Sequence, residues 1–180
     1  MTAPVILTRR LRLSQPIADD FDAFAEMWAD PEVTRFIGGQ TRDRQDSWLT
    51  LIRQAGLWAI LGYGYWSVRL RKSGDYVGEV GFADYKRGLE PDLSGRPEAG
   101  WIIARPHWGQ GYATEALTAT HTWLDEEMPG PTSCIIDPDH TASINVAKKL
   151  GYHDFGAADY KGDPVLLFRR NTPSMQTGVA

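Results

Sequence analysis

From Ile6 to Leu13 apolar and polar residues alternate, so VILTRRLRL reads as a strand with one buried face. Asp19 or Asp20 then stands before Phe21, Phe24 and Trp28, whose helical spacing predicts an acid-capped helix. Pro31 starts a new turn. A second helix is predicted from about Arg44 into GLWAIL, with Trp48, Leu51 and Ile52 turned inward. YWSVRL and YVGEVGFADY flank RKSGD and read as a hairpin. KRGLEPDLSGRPE is a polar loop, and EAGWIIA is the next strand. Gly109 and Gly111 follow it and open a helix over about 112–126. PGP breaks the chain, TSCIID is a strand, and HTASINVAKKLGY is a helix closed by Gly151. YHDFGAADYK and VLLFRR close the sheet, and the polar residues 171–180 are expected to fray. The order β α α β β β α β α β β predicts an α/β fold with a mixed sheet.

The length, 180 residues, suits one domain over 1–180 with a full core. The net charge of −4 argues against broad nucleic-acid binding. The lone cysteine, Cys134, excludes an intrachain disulfide and a cysteine-based metal cluster, and its strand setting reads as core. No His, Asp or Glu cluster has metal-ligand spacing, so no metal site is expected. MTAPVILTRRLRL lacks the order of a signal peptide, and GLWAILGYGYW is too short to span a bilayer. These features imply a cytoplasmic protein with no membrane partner.

The glycine pair raises a chemical question. A helix N-terminus carries unpaired N–H groups and partial positive charge, and glycine lets an anion approach the backbone. A tight strand-to-helix turn that binds nothing would look the same. WGQGYAT lacks the Gly-Lys-Ser/Thr ending of a Walker loop. A dinucleotide fingerprint needs a third glycine where Thr114 stands.

HWGQGYATEAL resembles the acyl-CoA loop of the GCN5-related N-acetyltransferases (GNAT), and is most similar to their branch that acetylates ribosomal-protein N-termini, the RimJ/RimL type. The resemblance runs from LTRRLRLSQP to VLLFRR and includes the DHTASINVAKKLGY block. The family's motif, Gln/Arg-x-x-Gly-x-Gly/Ala, falls on Trp108, Gly109, Gln110, Gly111, Tyr112 and Ala113. Trp108 departs from it, although a Trp-Gly pair is usual in that branch.

The resemblance implies a mostly antiparallel sheet of about seven strands flanked by four helices, with a splayed strand pair holding acetyl-CoA. The pyrophosphate would lie on the backbone of Gly109, Gln110, Gly111, Tyr112, Ala113 and Thr114. The pantetheine arm would run along Trp101, Ile102 and Ile103 as a false strand. His140 stands where relatives carry an asparagine that contacts pantetheine. Acetyl-CoA and an amine acceptor, a small molecule or a protein N-terminus, are the implied partners, and a homodimer is compatible with the sequence.

Acetyl transfer to an amine requires removal of an ammonium proton, a donor to the thioester oxygen, and an acid for the leaving thiolate. Relatives place a general-base glutamate near Glu98; Glu79 is the rival, and both have a plainer reading as strand carboxylates. Glu115, in a first helical turn, suits the helix dipole and reads as structural. Ser143 is the leading candidate for the acid and Tyr152 the alternative; a helix-start hydroxyl and a packing tyrosine are the plainer readings. Trp28, Trp48, Trp58 and Trp66 together suggest an apolar acceptor cleft. The expected activity is direct acetyl transfer in a ternary complex without an acyl-enzyme. A non-catalytic acyl-CoA-binding or sensing module on the same fold is the reading from another class.

Overall fold

The structure, a computed structural model, describes residues 2–172; most of the tail expected to fray, residues 173–180, lies outside them. Within them, Thr172 is tied down, its Oγ1 donating to the Gly130 carbonyl at 2.7 Å and accepting from the Gly130 N–H at 2.8 Å.

Eight strands form one sheet in the order β1-β2-β3-β4-β5-β6-β8-β7. They are β1 (Ile6–Leu7), β2 (Leu11–Ser14), β3 (Tyr65–Leu70), β4 (Tyr76–Ala83), β5 (Glu98–Ile103), β6 (Thr132–Ile136), β7 (His153–Tyr160) and β8 (Asp163–Arg170). The helices are α1 (Phe21–Ala29), α2 (Pro31–Thr34), α3 (Arg44–Leu61), α4 (Tyr112–Glu127) and α5 (Thr141–Lys149). One strand and one helix exceed the expectation. The N-terminal alternating run folds back on itself, because Thr8 Oγ1 accepts from Leu11 N–H at 2.9 Å and closes a turn between β1 and β2. The turn at Pro31 is a short helix, capped by Asp30, whose side chain accepts from Glu32 N–H.

Alternation along the strands sends Leu11, Leu13, Val80 and Phe82 into one core with Leu117 of α4 and Phe168 of β8. Full burial of such a side chain stabilises the fold by roughly 1.5–3 kcal/mol. Phe24, Met27, Trp28 and Leu51 form a second cluster with Tyr76. Trp58, Trp66 and Trp123 stack within the main core, with ring centroids 4.5–5.4 Å apart. Trp58 and Trp66 therefore do not shape an acceptor cleft.

Helix α3 departs from its predicted facing. Trp48 and Ile52 are 38% and 49% exposed, while Ser47, Thr50, Leu51, Gln54 and Trp58 are buried. The inward stripe is half polar, and an apolar-pattern reading therefore rotates the helix the wrong way.

All neighbouring strands are antiparallel except β5 and β6. Strands β4 and β5 pair continuously from Gly78↔Ile103 to Ala83↔Glu98. Parallel β5 and β6 meet only at Glu98↔Ser133, where Ser133 N–H donates to Pro97 O at 3.1 Å. Beyond that point the two strands part, leaving the far edge of β5 unpaired over 101–103.

Candidate active site

Strand register determines which main-chain groups face the gap. Ala104 N–H donates to Val77 O at 2.8 Å. Because antiparallel residues alternate between the two edges, the main chain of Ile102 is directed at β4 and those of Trp101 and Ile103 at the gap. Trp108 Nε1 donates to the Ile103 carbonyl at 2.6 Å. The Trp101 N–H and C=O and the Ile103 N–H are therefore what the edge offers an extended ligand. Of the three residues expected to pair with a pantetheine arm, Ile102 does not; it lines the cavity instead.

Beyond β5 the chain reaches α4 through Gly109 and Gly111, at φ 71° and 77°. That left-handed backbone is why glycine stands at both places. No side chain caps α4, and no backbone–backbone hydrogen bond is donated by residues 110–114. A Cβ on Gly111 would meet only the Arg10 guanidinium, at 3.6 Å, and one on Gly109 nothing within 4 Å. The space above the loop is thus open and the amides of Gln110, Tyr112, Ala113 and Thr114 are unspent, a fit for a pyrophosphate. Arg10 was not legible as a site residue, because it arrives from the β1–β2 turn. Its guanidinium lies 4.4 Å from the centroid of the Tyr112 ring, and its Nε is paired with Glu115 Oε2 at 2.6 Å. Glu115 also accepts from Thr8 Oγ1 and Arg10 N–H, so it anchors the β1–β2 turn to α4.

A cavity of about 430 Å³ opens between α3, the sheet and α5. Glu79 and Glu98 both line it, on the same face of the sheet. Glu79 lies opposite Ile102, four residues along β5 from Glu98, a separation of roughly 13 Å at strand rise. Gly100 lies between them; any Cβ there would collide with the Tyr65 hydroxyl at 2.0 Å.

The two carboxylates are held in opposite ways. Glu98 is gripped by Arg87, whose Nε donates at 3.0 and 2.8 Å and whose Nη2 donates at 2.7 Å. Arg87 is itself sandwiched by the rings of Tyr85 and Tyr160, 4.4 and 4.5 Å away. Its guanidinium pKa is raised because the bonds to Glu98 outweigh burial. The charge of Glu98 is thus compensated by an ion pair, where the expected base role calls for a carboxylate free of one. Glu79 is 1% exposed; Gln54 and Trp28 face its carboxylate, but among the described residues neither closes to full hydrogen-bond geometry. Burial pushes its pKa up to about 7, against the opposing pull of Gln54, Arg42 and Trp28. Trp28 Nε1, Gln54 Oε1 and the Tyr76 hydroxyl are also buried without partners. Buried polar groups are normally satisfied; of this cluster Trp28, Gln54 and Glu79 line the cavity and Tyr76 does not.

On α5, Ser143 Oγ accepts from Trp101 Nε1 at 3.2 Å and lies 3.4 Å from His140 Nε2. The His140 ring stacks on Phe36 with centroids 4.5 Å apart, and burial lowers its pKa. Trp101, His140 and Ser143 all line the cavity. Tyr152 does not. Its hydroxyl is 3% exposed as a residue and sits between His121 Nε2 and Thr132 Oγ1, at 2.8 and 2.7 Å. Burial raises its pKa further. It is a core tyrosine bonding α4 to β6, away from the site where the alternative acid was expected. Cys134 is likewise buried, with its thiol pKa raised by burial. Of the four tryptophans expected at the acceptor cleft, Trp28 alone lines the cavity.

Residues 10–153 match the family described as the acetyltransferase (GNAT) domain. The Bacillus subtilis protein YkkB is 28% identical over 172 residues, covering 93% of this chain and 95% of its own. A GNAT-family acetyltransferase structure from Bordetella pertussis superposes with a TM-score of 0.83 at 27% identity, covering 93% of this chain and 99% of that one. RimL, a ribosomal L7/L12 α-N-protein acetyltransferase solved with coenzyme A, shares the fold at 14% identity, with a TM-score of 0.72 over 93% of this chain and 98% of its own. With four-fifths of the sequence under one family profile and the parting of parallel β5 and β6 in the fold itself, the chain belongs to the GNAT family of acetyltransferases.

Proposed function

We propose that the protein transfers an acetyl group from acetyl-CoA to a primary amine, a protein N-terminus or a small-molecule amine, by direct transfer, with Glu79 as the base. The observation that carries this reading is the buried, unpartnered Glu79 carboxylate on the wall of the cavity that opens where β5 leaves β6.

Acetyl-CoA supplies an activated acyl group as a thioester. The free amides of 110–114 would hold its pyrophosphate, and the edge groups of Trp101 and Ile103 its pantetheine arm. Glu79 accepts the proton that the ammonium of the acceptor must lose; with a pKa of about 7 it is poised to do so near neutrality. The amine nitrogen bonds to the acetyl carbon, the carbon–sulfur bond breaks, the electron pair leaves on sulfur, and the second proton that nitrogen sheds in becoming an amide passes through the Ser143 hydroxyl or solvent to that sulfur. Ser143 Oγ accepts from Trp101, and its own proton can turn from His140 Nε2, 3.4 Å away, to that sulfur. As an alcohol it acts as a hydrogen-bond donor and relay more than as a strong acid. Glu98 keeps Arg87 and the 84–97 loop in place.

The test is a thiol-release assay over an amine panel that includes peptides with free N-termini. Wild type is expected to turn over, with kcat/KM rising with pH through about 7. Glu79→Gln should lower kcat by roughly 10²–10⁴-fold and flatten that rise while leaving coenzyme affinity intact. Full turnover by Glu79→Gln would remove Glu79 from the mechanism, and failure of every amine in the panel would overturn the reading as a whole.

A further inference from the structure

The segment before α3 and an exposed position on α3 bring two guanidiniums to the cavity. Arg42 and Arg53 both line it, and neither forms an ion pair among the described residues. Arg42 is held rather than loose. Its guanidinium carbon lies over the Trp28 ring, 3.5 Å from the centroid, and its Nη1 donates to Thr50 Oγ1 at 2.8 Å. Only one of its five N–H groups is thereby spent. Burial lowers its pKa, so the charge is desolvated without a carboxylate to compensate it. A half-buried guanidinium that pairs with no carboxylate is costly to the fold and leaves its remaining donors for a ligand.

The acidic groups nearby do not fill that role. Glu79 and Asp46 act on Arg42 at a distance, and neither is paired with it; Asp46 lies with Arg42 and Arg53 in a separate surface depression and forms no ion pair with either. The other basic residues in the lining are engaged or placed elsewhere. Arg87 is spent on Glu98, and Lys161 lies over the Tyr160 ring, 5.4 Å away, on the turn between β7 and β8. One wall of the cavity therefore combines a lone proton acceptor, Glu79, with two unpaired guanidiniums.

From this geometry we infer that the acceptor is an amine that also carries an anionic group, its nitrogen directed at Glu79 and its carboxylate or phosphate held by Arg42 and Arg53. The inference rests on the proposed transferase reading and names the acceptor class of the same site. Arg42 supplies the preorganised fork, because stacking and the Thr50 bond fix its plane. Arg53, exposed on α3, supplies a second charge at the mouth. A neutral or purely cationic amine leaves both charges uncompensated.

Matched acceptors test this. Amino acids are compared with their amides, and peptides with an acidic second residue with the same peptides carrying the amide; the first pair reads a small-molecule source and the second a protein N-terminus. Wild type is expected to favour the anionic member of at least one pair by tenfold or more in kcat/KM, with the preference falling as salt is raised. Arg42→Met and Arg53→Met should raise KM for that member by tenfold or more and abolish the preference, leaving coenzyme affinity unchanged; because both guanidiniums also act on Glu79, the readout is the ratio between the two members and not the absolute kcat. If neutral and anionic members are used equally, the inference falls and the transferase reading stands. If no amine turns over, calorimetry on the coenzyme A complex compares N-acetyl amino acids with their amides. Tighter, Arg42-dependent binding of the carboxylate supports the inference even then; equal binding, or none, overturns it.

Discussion

At the scale of single residues, two hydroxyls that the sequence could not separate are separated by what surrounds them. Ser143 lines the cavity with only a long contact to His140 Nε2 open to its proton, while the Tyr152 hydroxyl is spent between His121 and Thr132. Ser143→Ala is therefore expected to lower kcat at saturating amine, by up to about 10²-fold, with coenzyme affinity nearly unchanged. Tyr152→Phe should leave kcat close to wild type and cost about 1–3 kcal/mol of stability, because two buried partners lose their bond. Steady-state kinetics and chemical denaturation on both variants check this. A silent Ser143→Ala beside a crippled Tyr152→Phe would reverse the assignment. Glu98 and Glu79 teach the same lesson. Both are glutamates on neighbouring strands of one sheet face, and only the position of Arg87 decides which one is compensated.

At the scale of elements, the β5–α4 connection carries the strongest signal in the chain. Its glycines were legible because their chemistry is local: φ values of 71° and 77° are open to glycine and strained for branched residues. Gly111→Val is accordingly expected to weaken coenzyme A binding by at least tenfold through backbone strain, since the only atom a Cβ would approach is on Arg10. Gly111→Asn, which tolerates the left-handed region better, should recover part of the loss, and Gln110→Ala should change affinity little. Calorimetry on folded variants measures all three; equal affinity for wild type and Gly111→Val would displace the pyrophosphate from this loop. Helix α3 shows the opposite case. Its buried polar stripe, Ser47, Thr50 and Gln54, interrupts apolar periodicity because part of the inward face, at Thr50 and Gln54, covers a cavity while Leu51 and Trp58 pack in the core.

At the scale of the whole molecule, the site has a cost in stability. Glu79 has a pKa of about 7 in the folded protein and about 4.3 in an unfolded chain. Between those values the folded state holds the proton that the unfolded state has released, so stability falls as pH rises through that window and levels off above about 7. The loss amounts to roughly 3–4 kcal/mol. Denaturation midpoints of wild type and Glu79→Gln should therefore diverge from pH 5 to pH 8, with the variant the more stable at the upper end. Parallel curves would show that the carboxylate is better solvated than its burial implies. A more stable and less active Glu79→Gln would display the exchange of stability for function that an unpartnered buried base imposes.

The sequence by itself determined the elements whose cause is local. These are the alternating strands, the loop glycines, the caps and breakers that bound each helix, and the two blocks that carry the family resemblance. It also placed Ser143, His140 and Trp101 on the segments that the fold brings together at the cavity. Tertiary structure alone decided which carboxylate stands free, which way α3 faces, and that Arg10, Arg42 and Arg53 reach the site. The physical reason is that charge compensation, burial and the direction of an unspent hydrogen bond depend on neighbours distant in sequence. Arg87 lies 11 residues from Glu98, and Glu115 lies 105 from Arg10. No pattern of spacing along the chain encodes those encounters; the parting of β5 from β6 and the packing of α3 over the sheet create them.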